Sequence, residues 1–168
     1  MDAKKSPILN LDDVQYRATG QGEKFAAQVG DVGGKLGATK LGYNICVVPP
    51  GKRAWPRHNH TVNEEMFFII EGKGEVVIGD DRYPIRKGDF IASPPGGAAT
   101  AHQIVNTSEA ELKYLALSTR LIPDLIEYPD SGKFGTANFV PDAAGVPRLK
   151  RFIMRAEATE KDYWEGEV

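Results

Sequence analysis

Between residues 41 and 119 the chain is cut by glycine and proline into short runs of alternating apolar residues, a spacing that leaves almost no room for helices. Leu41, Tyr43, Ile45 and Val47 share one parity, and Gly42, Asn44, Cys46 and Val48 the other, so this stretch reads as a strand ended by Pro49, Pro50 and Gly51. EEMFFIIEG reads as a strand apolar on both sides, with Glu65, Phe67 and Ile69 on one face and Met66, Phe68 and Ile70 on the other; both faces are expected to be buried. EVVIGDDRYPI is a hairpin turning at Gly79-Asp80-Asp81, and KGDFIAS, HQIVN and ELKYLALST are further strands. That density of strands predicts an all-β sandwich or barrel.

With 168 residues and 41% hydrophobic content the chain suits one domain with one sizeable core. Within it, residues 1–40 read as an N-terminal arm and edge strands, 41–119 as the barrel core, and 120–168 as a C-terminal extension packing on the barrel or on a partner subunit. The glycines between Gly20 and Gly42 read as a loop or hairpin, because no apolar strand is seen leading into a helix as a dinucleotide site requires. PRLKRFIMR is compatible with strand or helix, and Tyr163 and Trp164 near the acidic end are expected to dock on a groove. A net charge of -2 provides no basic field for nucleic acid or anionic lipid. MDAKKSPILN lacks the apolar stretch of a signal peptide, and the apolar run Met66 to Ile70 is too short to span a bilayer; the expected setting is soluble and cytoplasmic. Cys46, the single cysteine, reads as a small core residue.

Two of the three histidines lie in His58-Asn59-His60, a spacing that puts both imidazoles on one face of an extended segment. Glu65 follows at the head of a strand, and His102 opens the HQIVN strand. If the two strands lie antiparallel, all four side chains can meet. Three nitrogens and one carboxylate oxygen suit Mn, Fe, Co, Ni, Cu or Zn rather than Ca or Mg.

Here the sequence resembles the cupin superfamily. GKRAWPRHNHTVNEEMFFIIEG places Gly51, His58, His60, Glu65 and Gly72 at the fixed positions of the first cupin motif, with one extra residue before His58. GDFIASPPGGAATAHQIVN places Gly88, Pro94, Gly96, His102 and Asn106 on the second motif, with five residues instead of two between Gly96 and His102. The resemblance implies a double-stranded β-helix, a jelly-roll barrel with N- and C-terminal extensions. It also implies one divalent transition metal (Zn, Mn, Fe or Ni) held by His58, His60, Glu65 and His102 near one mouth, with Phe67, Ile69 and one parity of the 41–48 strand lining a pocket. Glu65 is read as inward and Glu64 as surface or supporting.

The resemblance does not fix the reaction. A metal-dependent enzyme acting on a small oxygenated metabolite, isomerase- or dioxygenase-like, is one expectation; Glu65 is its candidate acid-base residue, with Glu64 and Tyr128 behind it. Lys52, Arg53 and Arg57 are read as a rim, of which Arg53 and Arg57 could reach a phosphate or carboxylate in the pocket. The alternative is a sugar- or acid-binding module without turnover, and a third possibility is a purely structural metal. A homodimer is expected, because Met66, Phe68 and Ile70 need a cover on the face away from the pocket.

Overall fold

The computed structural model describes residues 6–141 and 147–155. The strands are β1 (Arg17–Gln21), β2 (Phe25–Asp31), β3 (Leu41–Val48), β4 (Asn59–His60), β5 (Glu65–Glu71), β6 (Lys73–Ile78), β7 (Asp81–Arg86), β8 (Phe90–Ser93), β9 (His102–Val105), β10 (Leu112–Thr119), β11 (Asp124–Tyr128), β12 (Lys133–Pro141) and β13 (Pro147–Arg155). They form a six-stranded sheet ordered β1-β2-β3-β10-β5-β8, a four-stranded sheet β13-β12-β11-β4 and a three-stranded sheet β7-β6-β9. Every pairing within them is antiparallel. This is the expected all-β jelly-roll, although its sheets do not close into one hydrogen-bonded ring: isolated bridges Arg53↔Val105 and His58↔His102 tie β9 to the segment that precedes and enters β4.

The principal core lies between the large sheet and the three-stranded one. Cys46, Val48, Phe67, Ile69, Leu112 and Tyr114 face Val76, Ile85 and Ile104 across it. On the other face of the large sheet, Val14, Val32 and Ile45 pack with Leu9, Tyr16, Tyr43, Ile70 and Leu115. Both parities of β3 are apolar because both faces of the sheet are covered around it. Among the described residues the cover over Ile70 comes from residues 9–32. Burial of the β5 outer face is only partial, since Met66 is 40% exposed and Phe68 packs at 4.6 Å, tilted, on Phe90, itself 75% exposed.

The hairpin β6-β7 pairs Ile78 with Asp81, so its turn is Gly79-Asp80, one residue tighter than expected, with Gly79 at φ 56. The glycine-rich region does contain a strand leading into a helix, α1 (Val32–Leu36). Its first turn is already satisfied, because the Asp31 carboxylate accepts the Gly34 amide. PRLKRFIMR is strand β13. Tyr163 and Trp164 lie outside the described residues. Among the described residues no helix is long and apolar enough to cross a membrane.

Candidate metal centre

Strand β4 carries the histidine pair. Its two residues hydrogen-bond to β11 in the register Ile126↔His60 and Glu127↔Asn59. Asn59 points away from the imidazoles and donates to Gly96 O (2.7 Å) and Glu127 Oε2 (2.8 Å), tying the second motif's Pro-x-Gly turn to the histidine strand. The longer loop before His102 is taken up by a 3-10 turn, Ala98–Thr100. Reciprocal backbone bonds between His58 and His102 (3.2 and 2.8 Å) then set the register of β9, so the extra residues do not carry His102 away. Asn106 is fully buried; it donates to Val48 O and Ala110 O and accepts from Ser108, which shapes the turn into β10.

The Glu65 carboxylate is the point of convergence. Its Oε2 lies 2.8 Å from His102 Nε2, 3.5 Å from His58 Nε2 and 3.7 Å from His60 Nε2. The candidate ligand atoms of His58, His60 and Glu65 all lie within 4.8 Å of one another, a metal-sized cluster; His102 adjoins it through Glu65 and does not belong to that set of three. Burial alone would raise the Glu65 carboxyl. Hydrogen bonding to His102 and His58, and the charge of His58 and His60, outweigh burial and hold it well below the ordinary carboxylate range.

Each imidazole has its other nitrogen against an oxygen. His58 Nδ1 is 2.8 Å from Pro56 O, His60 Nδ1 is 2.5 Å from Asp124 Oδ2, and His102 Nδ1 is 3.3 Å from Thr100 O. A neutral imidazole that donates through Nδ1 presents a lone pair at Nε2. Without an ion, a proton on the imidazoles satisfies these Nε2–Oε2 contacts; deprotonated at Nε2, the three rings and the carboxylate form a donor set that suits a divalent transition ion.

Beside the cluster opens a cavity of about 400 Å³, the size of a small-molecule site. The face of the large sheet that meets it is laid out in register: Gly42, Ser118, Glu65 and Ser93 form one row, Asn44, Ala116, Phe67 and Ile91 the next, and Cys46, Tyr114 and Ile69 the third, with Ser93, Ile91 and Ile69 lying outside the cavity lining. The parity of β3 that faces inward is therefore Gly42, Asn44 and Cys46. Burial pushes the Cys46 thiol up to about 11, and burial also raises the Tyr114 hydroxyl.

Several expected pocket residues are elsewhere. Phe67 lines the cavity, but Ile69 is fully buried in the core beneath it. Arg53 does not line it; its guanidinium lies 3.4 Å from Gln103 Oε1 and 5.9 Å from the Phe25 ring centroid. Arg57 is drawn aside by Asp130 (Nη2 to Oδ1, 2.7 Å) and by Gly79 O. Glu64 is exposed outside the cavity, whereas Tyr128 lines it with its ring 6.1 Å from that of His58. Residues the sequence did not single out, notably Asp124, Trp55, Ile126, Ala137 and Arg120, complete the walls. Asp124, Ile126 and Ala137 come from β11 and β12, so the C-terminal segment builds part of the site itself.

Residues 44–118 match a family model described as the cupin domain. This stretch of the chain is a cupin domain. An uncharacterized protein of Methanocaldococcus jannaschii is 35% identical over 72 residues, which are 43% of this chain and 54% of that protein; the chain thus spans about half of that relative's length. Among solved structures, a candidate sugar phosphate isomerase of Acidithiobacillus ferrooxidans is 25% identical with a TM-score of 0.68, covering 86% of this chain and 91% of the other. A cupin-superfamily sugar phosphate isomerase of Silicibacter pomeroyi is 23% identical with a TM-score of 0.72, covering 94% and 98%, and this likeness is one of fold.

Proposed function

We propose that this cupin is a metal-dependent enzyme that holds one divalent transition ion through His58, His60, Glu65 and His102 and acts on a small oxygenated metabolite such as a sugar phosphate or a keto or carboxylic acid. The observation that carries the reading is the meeting of three imidazole Nε2 atoms at Glu65 Oε2 on the wall of a small-molecule cavity. An ion bound there supplies a Lewis acid to a carbonyl or hydroxyl oxygen. Asp124 fixes the tautomer and tilt of His60, and the backbone bridge to His58 fixes His102. Tyr128, stacked near His58, stands ahead of Glu64 as a proton carrier; Glu65 serves both as ligand and as candidate acid-base group. Trp55 and Phe67 supply apolar wall that limits water around the ligand. The names borne by the two solved relatives favour the isomerase form of this reading over a binding module without turnover. The same reading makes the protein a homodimer, with Met66, Phe68 and the edge-strand residue Phe90 facing a second copy.

Elemental analysis of protein purified without added metal tests this directly. The expected result is about one transition ion per chain, lost in His60→Ala with the barrel still folded, and lost as severely in His102→Ala as in His58→Ala. Protein without metal, even after incubation with Zn, Mn, Fe and Ni salts, would refute the reading; full occupancy in His102→Ala would remove His102 from the ligand set.

A further inference from the structure

The rows of the large sheet lead away from the metal cluster to a single cation. Ser118 stands opposite Glu65 in the β5-β10 pairing and opposite Gly42 in the β3-β10 pairing. Arg120 follows two residues later, so its Cα lies roughly 6–7 Å beyond the Glu65 row along the strand direction. Among the described residues Arg120 is the one Lys or Arg that lines the cavity. It is half-buried, and no ion pair is formed by its guanidinium among the described residues, unlike Arg57 and Arg82.

The backbone around Arg120 is pinned on both sides. Its amide donates to Lys40 O (2.9 Å), Thr119 N donates to Glu64 O (3.0 Å), and Asn63 Oδ1 accepts from both Thr119 Oγ1 (2.9 Å) and Leu121 N (2.7 Å). Gly42 clears the floor beneath: a Cβ there would meet Ser118 Oγ at 2.3 Å and lie 3.6 Å from Arg120 Nε. The side chain is therefore held at the cavity wall by a fixed base, with Gly42 leaving room for Ser118 Oγ beside it. Charge points the same way. Glu65 and Asp124 are the acidic residues of the lining, both engaged by imidazoles; a divalent ion would balance those two charges, leaving Arg120 as the uncompensated one.

We propose that Arg120 is the anion-binding residue of this cavity and that the ligand is a small organic oxyanion, a carboxylate or a phosphate ester, whose charged end meets the guanidinium while another oxygen faces the His-Glu cluster. This rests on the metal reading above and narrows its substrate class. A guanidinium that pairs with an oxyanion in a partly desolvated site discriminates strongly against a neutral isostere.

Isothermal titration calorimetry of the metal-loaded protein tests it, with malonate as the carboxylate probe, glycerol 3-phosphate as the phosphate probe and glycerol as the neutral control. At least one oxyanion is expected to bind wild type while glycerol does not, and the tighter probe identifies the class. Arg120→Gln should weaken that probe at least about tenfold, as loss of a charge-assisted bond implies. Arg120→Lys should recover part of it. Metal content is measured in every sample. Wild type that holds metal but binds neither oxyanion, or an Arg120→Gln protein that binds as wild type does, overturns the assignment and leaves the metal reading standing. Wild type that takes up no metal overturns the metal reading; oxyanion binding still lost in Arg120→Gln would then support Arg120 on its own.

Discussion

Asp124→Asn removes one charge and almost no volume, yet it should damage both the fold and the metal centre. The carboxylate is 2% exposed and both of its oxygens accept: Oδ2 from His60 Nδ1, and Oδ1 from the amides of Val62 (3.1 Å) and Asn63 (3.4 Å). An Asn amide has one acceptor, so whichever way it turns its NH2 faces a donor, either the imidazole or the two backbone amides. Losing the charge-assisted bond to His60 costs about 1.5–3 kcal/mol, and keeping it as a neutral bond at the expense of the amide pair costs a similar amount; the Asn63 contact is long and adds little. A net loss of about 1.5–3 kcal/mol should lower the urea midpoint clearly. His60, released from its tautomer and tilt, should bind metal about ten- to a hundredfold more weakly in competition with a chromophoric chelator. An unchanged urea midpoint, or metal affinity within twofold of wild type, would refute this account of Asp124.

Gly72→Ala should destabilise by more than about 2 kcal/mol in urea unfolding, because Gly72 sits at φ 86 and a Cβ there would lie 2.4 Å from Glu111 O. Cys46, with its thiol pushed up from 9.0 to about 11, should carry roughly a hundredfold less thiolate than an ordinary cysteine below pH 9, so native protein should react with iodoacetamide only after denaturant is added. The sign for stability follows. A raised folded-state value means the contribution is complete below about 9 and lost as pH climbs towards about 11, lowering the alkaline melting temperature by an amount worth up to about 2–3 kcal/mol. Light scattering at micromolar concentration should give twice 18.4 kDa, and substituting Phe90 and Met66 with Ser should return the mass to the monomer; a wild-type mass near 18.4 kDa that persists on concentration would rule out the dimer.

The barrel was legible because period-two alternation and glycine turns are local signals: β3 begins and ends where its sequence pattern does, and the β6-β7 hairpin follows from its turn. The ligand pattern was legible for the same reason, since His58 and His60 share a face through the backbone alone. Parity, however, does not say which face looks inward. In β3 the polar and small residues Asn44 and Cys46 line the cavity while Ile45 packs under residues 9–32. Arg53 and Arg57 precede the histidines in sequence, which suggests a place in the pocket, but long side chains follow their partners, and Asp130 holds Arg57 elsewhere. Asp124 carried no sequence signal. Its role depends on β4 pairing with β11 across more than sixty residues, and nothing local marks such a pairing.

That pairing divides the site between two stretches of chain. The histidines and Glu65 all fall within residues 44–118, whereas Ile126, Tyr128 and Ala137, which face them across the cavity, come from beyond it. A lineage could therefore keep its metal ligands intact while exchanging β11 and β12 to admit a different guest, provided the replacement kept Asp124 against His60 and Tyr128 beside His58. Recombination at the Arg120 boundary would be a practical route to altered selectivity, because the reactive half and the discriminating half are written consecutively in the chain.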